Sequence, residues 1–410
     1  MKTCVDNICQ TLKETIRKAL VPLIPDDYIL LDLPYYANVG DILIWRGTED
    51  FLKELKGNCL GKHSKETFDF RPLSQDCTIL LLGGGNFGDI WREHQEVRLE
   101  VMRLYPENNI IVLPQTVHYE SNDIFAEDIN KMNQHHHLTI CARDNHSAEL
   151  LRQKGFTGQL MTLPDMAFCI NPQELQADMT TETTRQNLIL LREDKELKEK
   201  KQPDKYVNAS FSDWPNIKES SAEAWDFLMT HDNSETDSFF IEDFFPREIK
   251  AGIKFVSSFK EVSSTRLHVA ILRLLLGLPV KMIDNSYGKN FNFYNTWLKD
   301  SELVGTPDEK EQEAIDFAIY IHRHEQESLQ ESLLKCKKDY EMQIAALKDR
   351  QQKQEMSFEK IRHEQEATIA SLRKSSEQES QKHKKYKVLF NISLLLMFLF
   401  ILMQILILNI

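Results

Sequence analysis

Apolar residues in the first part of the chain fall into short continuous runs separated by segments with helical spacing. Between residues 7 and 22 the apolar side chains recur at the spacing of one helix face, at Ile8, Leu12, Ile16 and Leu20. Continuous runs that predict buried strands occur at 28–33, 78–82, 109–113, 138–143 and 160–163. Helical segments lie between several of them, at 42–55, 90–104 and 145–154. Strands that alternate with helices predict βαβ units and a mostly parallel sheet.

A second block of the same kind follows a polar stretch at 172–185, which we interpret as a linker. It contains predicted strands at 187–191 and 280–283, and a strongly apolar helix that opens at 263–268 and continues to Leu276. Two consecutive blocks predict the α/β fold class, with two Rossmann-like domains that face each other across a cleft. Ligands of such folds bind at the carboxyl ends of the strands.

The composition changes after Pro307, where Gly and Pro vanish and Glu, Lys, Gln and Arg dominate up to Lys385. Three-four spacing places Tyr340, Leu347 and Ile361 on one seam, although the same seam also carries several Gln. This weak heptad predicts a long helical stalk. It is consistent with a solvated single helix and equally with a marginal coiled coil that joins a homo-oligomer.

The stretch from Val388 to Ile410 contains no charged residue and is mostly Leu, Ile, Phe, Met or Val. Such a length is enough to span a bilayer as a helix. Four lysines flank it on its N-terminal side only, at 382, 384, 385 and 387. By the positive-inside tendency, the sequence predicts a single-pass membrane protein with its α/β domains on the cytoplasmic side. A buried core helix is the alternative interpretation.

The predicted organisation therefore has five parts. They are an N-terminal helix at 1–25, a first Rossmann-like domain at 26–175, a second at 176–305, a charged helical or coiled-coil stalk at 306–385 and a transmembrane helix at 386–410.

Charge and cysteine content narrow the class of protein further. The 410 residues carry a net charge of -13, which argues against a nucleic-acid partner held through phosphates. The 7 cysteines are odd in number and form no CxxC, which favours reduced thiols over a disulfide framework or a zinc site. The run His135–His137 could suggest a metal, but adjacent side chains cannot all face one ion, so we predict no metal site.

A glycine-rich turn stands at the end of the second predicted strand. Gly83, Gly84 and Gly85 follow the apolar run and precede Asn86 and Asp89. A strand, a glycine turn and a helix together bring an anionic ligand to backbone N–H groups and a helix N-terminus. The spacing is neither GxGxxG nor a P-loop, so the turn indicates a phosphate or a carboxylate without naming the ligand. A tight βα turn without a ligand can also be rich in glycine.

Cationic side chains occur where further strands end or helices begin. Arg143 directly follows an apolar strand, where its guanidinium suits a carboxylate or a phosphate. Arg266 and His268 lie at a helix start in the second block, which adds positive charge to the helix N-terminus. One arginine from each domain could clamp an anion, and His268 could then transfer a proton. Taken singly, a lone Arg after a strand is usually part of a surface ion pair, and a lone His at a helix start is usually a cap or a surface residue.

Six motifs occur in an order that resembles the polysaccharide pyruvyl transferase family. They are Asn38-Val39-Gly40-Asp41, Gly83–Asp89, Leu113-Pro114-Gln115-Thr116, Ala142-Arg143-Asp144, Leu163-Pro164-Asp165 and Arg266-Leu267-His268. The resemblance covers about residues 28–300 and leaves the stalk outside. It implies a fold similar to GT-B glycosyltransferases. It also implies transfer of pyruvate from phosphoenolpyruvate onto two hydroxyls of a sugar, as a cyclic ketal.

The resemblance also implies roles for individual residues. Arg143 and Arg266 would bind phosphoenolpyruvate, His268 would be the general acid, and Asp89 would be the base or orient the attacking sugar hydroxyl. No cofactor or metal would be needed, and the acceptor would be a glycan or a lipid-linked oligosaccharide. Further residues expected at the substrate are Asn38, Asp41, Gly84, Gly85, Asn86, Gln115 and Arg192, of which Arg192 could equally belong to a surface turn.

Two other functions remain open from the sequence alone. One is a GT-B-type glycosyltransferase that uses a nucleotide-sugar. The other is an inactive α/β scaffold on a helical stalk, which would not bind phosphoenolpyruvate.

Overall fold

The computed structural model of the chain describes residues 2–180, 185–190, 210–378, 393–399 and 401–404. Met1–Arg323 form one compact unit that contains both predicted α/β blocks, and His324–Ile410 form a second unit. Arg192 lies outside the described residues, as does most of the polar segment that follows it.

The first sheet has seven strands and confirms the predicted parallel arrangement. The strands are β1 (Tyr28–Leu31), β2 (Cys59–His63), β3 (Thr78–Leu81), β4 (Gly84–Gly88), β5 (Ile110–His118), β6 (Leu138–Ala142) and β7 (Gln159–Thr162). Their order is β2-β1-β3-β5-β6-β7, with β4 paired to β5, and the paired strands are parallel. The strands β1 and β3 are wholly buried, which explains their continuous apolar runs.

The second sheet has five strands, also parallel. They are β8 (Arg185–Leu190), β9 (Ser210–Ser212), β10 (Phe259–Ser264), β11 (Val280–Met282) and β12 (Val304–Gly305), in the order β12-β11-β10-β8-β9. The predicted helix start at 263–268 is corrected here, because Ser263 and Ser264 pair with β8 and β11 as the end of β10. The helix begins only at Leu267.

The described helices connect these strands and cover the sheets. Those before β8 are α1 (Lys2–Leu20), α2 (Val39–Leu52), α3 (Arg92–Leu104), α4 (Asn122–Met132), α5 (Asn145–Gln153) and α6 (Pro172–Gln176). Those after it are α7 (Ile217–Thr230), α8 (Asn233–Ser238), α9 (Phe245–Ser257), α10 (Leu267–Leu275), α11 (Lys289–Phe293) and α12 (Glu309–Gln378). Short 3-10 and π-helical turns occur at 21–23, 166–169, 239–244 and 294–298.

Strand order determines where a ligand can bind. In the first sheet, β2 lies on one side of β1, and all later strands lie on the other side, starting with β3. The strand order therefore reverses between β1 and β3. In the second sheet the corresponding reversal lies between β8 and β10. Connections leave in opposite directions at such a point, which opens a crevice at the carboxyl ends of the strands.

One apolar core joins the two sheets within the first unit. Side chains from α2 and from α9 and α10 belong to the same buried cluster, including Ile42, Ile253 and Ile271. A polar contact reinforces it, because the Asp237 carboxylate accepts hydrogen bonds from the hydroxyls of Tyr35 and Thr67 at 2.6 and 2.7 Å. The sheets are therefore fixed against each other by both packing and hydrogen bonds.

The C-terminal part differs from the prediction. Among the residues that the structure describes, no helix is both long and apolar enough to cross a bilayer. The predicted transmembrane helix at 386–410 is therefore wrong, and so is the single-pass membrane localisation that depends on it. Of this segment the structure describes residues 393–399 and 401–404, and the others lie outside the described ranges.

The predicted stalk corresponds to α12, a single helix of 70 residues. Its apolar seam is exposed at Tyr340, Ile344, Leu347, Phe358 and Ile361. Pairing of this helix as a coiled coil stays a prediction, and so do the boundaries of the two Rossmann-like domains.

Candidate active site

A cavity of about 460 Å³ lies where both sheets end their strands. That volume is within the range of pockets that hold small substrates. Its wall combines three kinds of side chain. Cations and histidines are Arg266, Lys289, Lys65, His94 and His268; acidic and amide groups are Asn38, Asp41, Glu66, Asn86 and Glu93; aromatic rings are Tyr35, Tyr36, Trp91, Trp214 and Trp225.

His268 lies in the first turn of α10, on the second sheet, and is 7% exposed. Its Nε2 is 3.2 Å from Oδ2 of Asp165, which follows β7 of the first sheet. Gly40 packs against the other side of the ring, and a Cβ at Gly40 would lie 2.6 Å from Nδ1. The imidazole is thus oriented by a carboxylate on one edge and has room on the other only because residue 40 is glycine.

Asp165 is fully buried and also binds Arg143, whose Nη1 donates to Oδ2 at 2.7 Å. Burial alone would raise the pKa of Asp165. The charge and hydrogen bond of His268 and the charge of Arg143 outweigh that effect and hold the pKa well below the usual range of a carboxyl. Asp165 is therefore a fixed negative charge behind His268.

Arg143 is fully buried behind the cavity wall. Its Nε and Nη2 donate to Oγ1 of Thr116 at 3.1 and 2.9 Å, and its guanidinium faces the ring of Phe293 at 6.0 Å. Gly85, which lines the cavity, lies close to this guanidinium, because a Cβ at residue 85 would be 3.5 Å from Nη2. The same Cβ would collide with Nζ of Lys289, so this glycine makes room for two cations.

Arg266 is the N-cap of α10, and its guanidinium binds both carboxylate oxygens of Asp213. The first residues of α10 line the cavity, and the N-cap side chain does not cap the helix. Backbone N–H groups of a helix start favour an anion. Together with Lys289, they give this side of the cavity positive character.

Asn38 and Asp41 lie at the start of α2, on either side of the Gly40 that packs against His268. The Asn38 side chain caps the helix by accepting from the N–H of Gly40 at 3.1 Å and donates to Asp41 at 2.7 Å. The hydroxyl of Tyr36 also donates to Asp41, at 3.1 Å. Burial and the nearby carboxylates raise the pKa of Tyr36 well above its ordinary value, so the phenol stays protonated.

A second histidine and aspartate pair faces the same cavity. Nδ1 of His94 is 2.7 Å from Oδ1 of Asp32, the residue after β1. The fully buried Arg98 donates to Oδ2 of Asp32 at 2.9 Å and binds both the side chain and the carbonyl of Asn86 in the glycine turn. Asp32 has a φ of 67°, in the left-handed region that few residues other than Gly, Asn and Asp adopt.

The structure brings many of the predicted site residues together. Those that line the cavity are Asn38, Asp41, Gly85, Asn86, Arg266 and His268. Gln115 is buried beneath the turn, where its amide donates to Leu82 and Asn86, and Gly84 lies next to it. Asp89 is not among the described lining residues, because its carboxylate accepts from the backbone N–H groups of Glu120 and Ser121. Its catalytic role stays a prediction.

Residue-by-residue sequence reasoning missed several residues of the site. Asp32 could have been noticed as a lone charge inside an apolar run, and Asp165 as the end of a quoted motif without a role. His94 and Arg98 lie four residues apart, on one face of α3. Nothing local singles out Lys289.

The fold and the cavity define an α/β group-transfer enzyme with its site at the carboxyl ends of parallel strands. A family model described as polysaccharide pyruvyl transferase matches residues 38–287. The chain belongs to this family, and it is a pyruvyl transferase.

Two of three similar proteins bear names of the same kind. The chain is 30% identical over 300 residues to EpsO of Bacillus subtilis (strain 168), which is named as a pyruvyl transferase, covering 70% of this chain and 91% of EpsO. It is 30% identical over 290 residues to pyruvyl transferase 1 of Schizosaccharomyces pombe, covering 67% and 71%. It is 25% identical over 310 residues to general stress protein 30 of Bacillus subtilis, covering 71% and 83%.

We expect Gly40→Ala to reduce kcat/KM about 100-fold, because the added Cβ displaces His268 and a misplacement of about 1 Å costs that much. Alanine is a good helix residue, so the folded state should persist. Steady-state kinetics and circular dichroism measure the two effects. Gly305→Ala is the matched control, because no atom lies within 4 Å of its Cβ position. Equal rates for both variants would contradict this role of Gly40.

We expect Asp165→Asn to lower the free energy of unfolding by about 3 kcal/mol, because it leaves the buried Arg143 without its counter-charge. The pKa of Asp165 is lower in the folded than in the unfolded chain. The ion pair of Asp165 with Arg143 therefore stabilises the fold at every pH above the unfolded pKa of about 4. This stabilisation is lost only when the pH falls to strongly acidic values. Urea unfolding should show the same loss at neutral and mildly acidic pH, whereas the exposed Asp26→Asn should show little. A loss that disappears on mild acidification would refute the assignment.

Proposed function

We propose that the protein transfers pyruvate from phosphoenolpyruvate onto two hydroxyls of one sugar, forming a cyclic ketal on a glycan. The observation that carries this proposal is the placement of His268. It lies in the first turn of α10, two residues after Arg266, is oriented by a buried aspartate, and faces a cavity that Lys289 and several aromatic rings also line. Family membership supports the pyruvyl group as the unit transferred.

The cationic side of the cavity suits phosphoenolpyruvate, which carries a phosphate and a carboxylate. We assign direct contact to Arg266, Lys289 and the N–H groups that begin α10. Arg143 was expected to touch the substrate as well. Because its guanidinium is engaged by Asp165 and Thr116, we give it the role of holding Asp165, close to the cavity-lining Gly85.

The chemistry assigned to His268 is protonation of C3, the methylene carbon of phosphoenolpyruvate. The π electron pair of the C2–C3 double bond forms the new C–H bond at C3, and positive charge develops at C2. A hydroxyl oxygen attacks C2, phosphate leaves with the electron pair of its C–O bond, and the second hydroxyl closes the ketal. Cations that hold the phosphate stabilise the charge that it gains as it leaves.

The aromatic wall suits the sugar acceptor. One face of α7 lines the cavity through Ile217, Ser221, Trp225 and Leu228, and the Trp225 ring is 64% exposed. Exposed indoles offer a flat apolar surface with a polar edge, which matches the C–H face of a pyranose. The two Rossmann-like halves around one cleft are consistent with a GT-B-like arrangement and an acceptor in exopolysaccharide or other cell-surface glycan biosynthesis.

We expect the purified chain to transfer radiolabel from phosphoenolpyruvate to a glycoside and to release one phosphate for each ketal formed. Lys289→Met should raise the KM for phosphoenolpyruvate about 10- to 100-fold, because the loss of a charge-assisted hydrogen bond weakens binding by about that factor. Lys131→Met is the control, because this lysine pairs with Glu127 on the exposed face of α4. Phosphate release and label transfer across a panel of glycosides provide the measurement.

The rival functions predict different results in the same assay. Transfer from a nucleotide-sugar, with none from phosphoenolpyruvate, would indicate a glycosyltransferase. A thermal-shift titration in which phosphoenolpyruvate leaves the melting temperature unchanged would favour a scaffold that does not bind it.

We also propose that α12 pairs with the same helix of a second copy, because its apolar seam is exposed along the described helix. Ile344→Glu combined with Ile361→Glu should then lower the molar mass measured by light scattering to the 47.9 kDa of one chain. Gln352→Glu with His363→Glu adds charge away from the seam and should leave the assembly intact. A wild-type chain that is already monomeric would reject the proposal.

A further inference from the structure

A second proton-transfer group lies in the cavity, besides His268. We propose that His94 is the catalytic base that removes protons from the acceptor hydroxyls, with Asp32 and Arg98 as its positioning residues. This inference rests on the proposed function and adds to it the residue that activates the sugar.

The local geometry is that of a base held by a carboxylate. Nδ1 of His94 lies 2.7 Å from the carboxylate of Asp32, a group that accepts a hydrogen bond and therefore selects the tautomer with its proton on Nδ1. Nε2 then carries the lone pair. Because His94 lines the cavity, Nε2 is the nitrogen that a hydroxyl can meet.

Asp32 is fixed more firmly than an ordinary surface carboxylate. It is 4% exposed, its second oxygen binds the fully buried Arg98, and its backbone has a positive φ. A non-glycine residue held in that region is strained, and such strain is concentrated at functional sites. Arg98 also binds Asn86, so the same ion pair connects the base to the glycine turn.

The two histidine centres are built alike. Each histidine contacts a buried aspartate, and each aspartate is paired with a fully buried arginine. Their surroundings differ. His268 stands beside the cationic groups at the start of α10, whereas His94 stands next to the aromatic ring of Tyr36, with ring centroids 6.0 Å apart. The first position suits phosphoenolpyruvate and the second suits the sugar.

Proton balance explains why two centres are useful. The two hydroxyls lose two protons in total, while C3 gains one and the departing phosphate gains the other. His268 supplies the proton to C3 and is then reprotonated by solvent. His94 takes the proton of the first hydroxyl as the C–O bond forms and passes it to the leaving phosphate oxygen. It then takes the proton of the second hydroxyl as the ketal closes and releases it to solvent.

Charged and polar groups surround His94. They are Asp32 after β1, Tyr36 and Asp41 around the start of α2, Lys65 and Glu66 after β2, and Glu93 and Arg98 on α3. Four carboxylates stand against two cations in this set, so a positive charge that the imidazole acquires during the reaction meets surroundings of net negative charge.

The decisive variant is His94→Asn. The asparagine amide can occupy the position of Nδ1 and still donate to Asp32, but it has no atom in the place of Nε2. We expect kcat to fall at least 100-fold, the usual value of a general base, with an unchanged KM for phosphoenolpyruvate and an unchanged melting temperature. The acidic limb of the pH profile of kcat/KM for the acceptor should disappear. His136→Gln, at an exposed position, is the control.

Asp32→Asn provides a second variant, since asparagine tolerates the same positive φ. It should lower kcat while phosphoenolpyruvate binding, followed by calorimetry, persists. A His94→Asn enzyme with wild-type kcat, or one that is slow but keeps the acidic limb, would overturn the assignment to His94 alone. A wild-type enzyme that does not turn over phosphoenolpyruvate would instead reject the proposed function, and this proposal with it.

Discussion

The structure depends on neutralising two of the three arginines that are fully buried among the described residues. Arg98 and Arg143 are both fully buried, and a buried charge without a partner costs several kcal/mol. Each is satisfied by an aspartate located just after a strand of the first sheet. Because each aspartate retains a lone pair for a histidine, the requirement for charge balance in the core also fixes the orientation of two imidazoles at the surface of the cavity.

The glycine turn connects these two centres. Asn86 within it receives Arg98, and Gly85 leaves space that Lys289 and Arg143 approach from the other side. At Gly85 the turn is thus thin enough for a cation of each sheet to come close to its backbone. Its lack of side chains is what allows this proximity.

The sequence was sufficient for the class of fold and for much of the site. Buried parallel strands leave continuous apolar runs, and residues that follow such strands converge at one edge, so Arg266, His268 and Asn38 could be placed at a common cleft. The pairing of His94 with Asp32, or of His268 with Asp165, could not be foreseen, because residues 62 and 103 positions apart leave no periodic signal. The contacts of Asp89 could not be foreseen either. Its carboxylate accepts from backbone N–H groups that would otherwise lack a partner, while its catalytic role stays a prediction. At the C-terminus, hydropathy alone suggested a membrane segment.

The two histidine centres differ in how they depend on the protein as a whole. His94, Asp32 and Arg98 all belong to elements of the first sheet, so their distances are set locally. His268 comes from α10 of the second sheet and reaches Asp165 of the first. Any shift of one sheet against the other changes the second distance and spares the first. The junction between the two halves therefore sets the geometry of the His268 centre, and substitutions far from the cavity that loosen it would change the distance from His268 to Asp165 while leaving that from His94 to Asp32 intact.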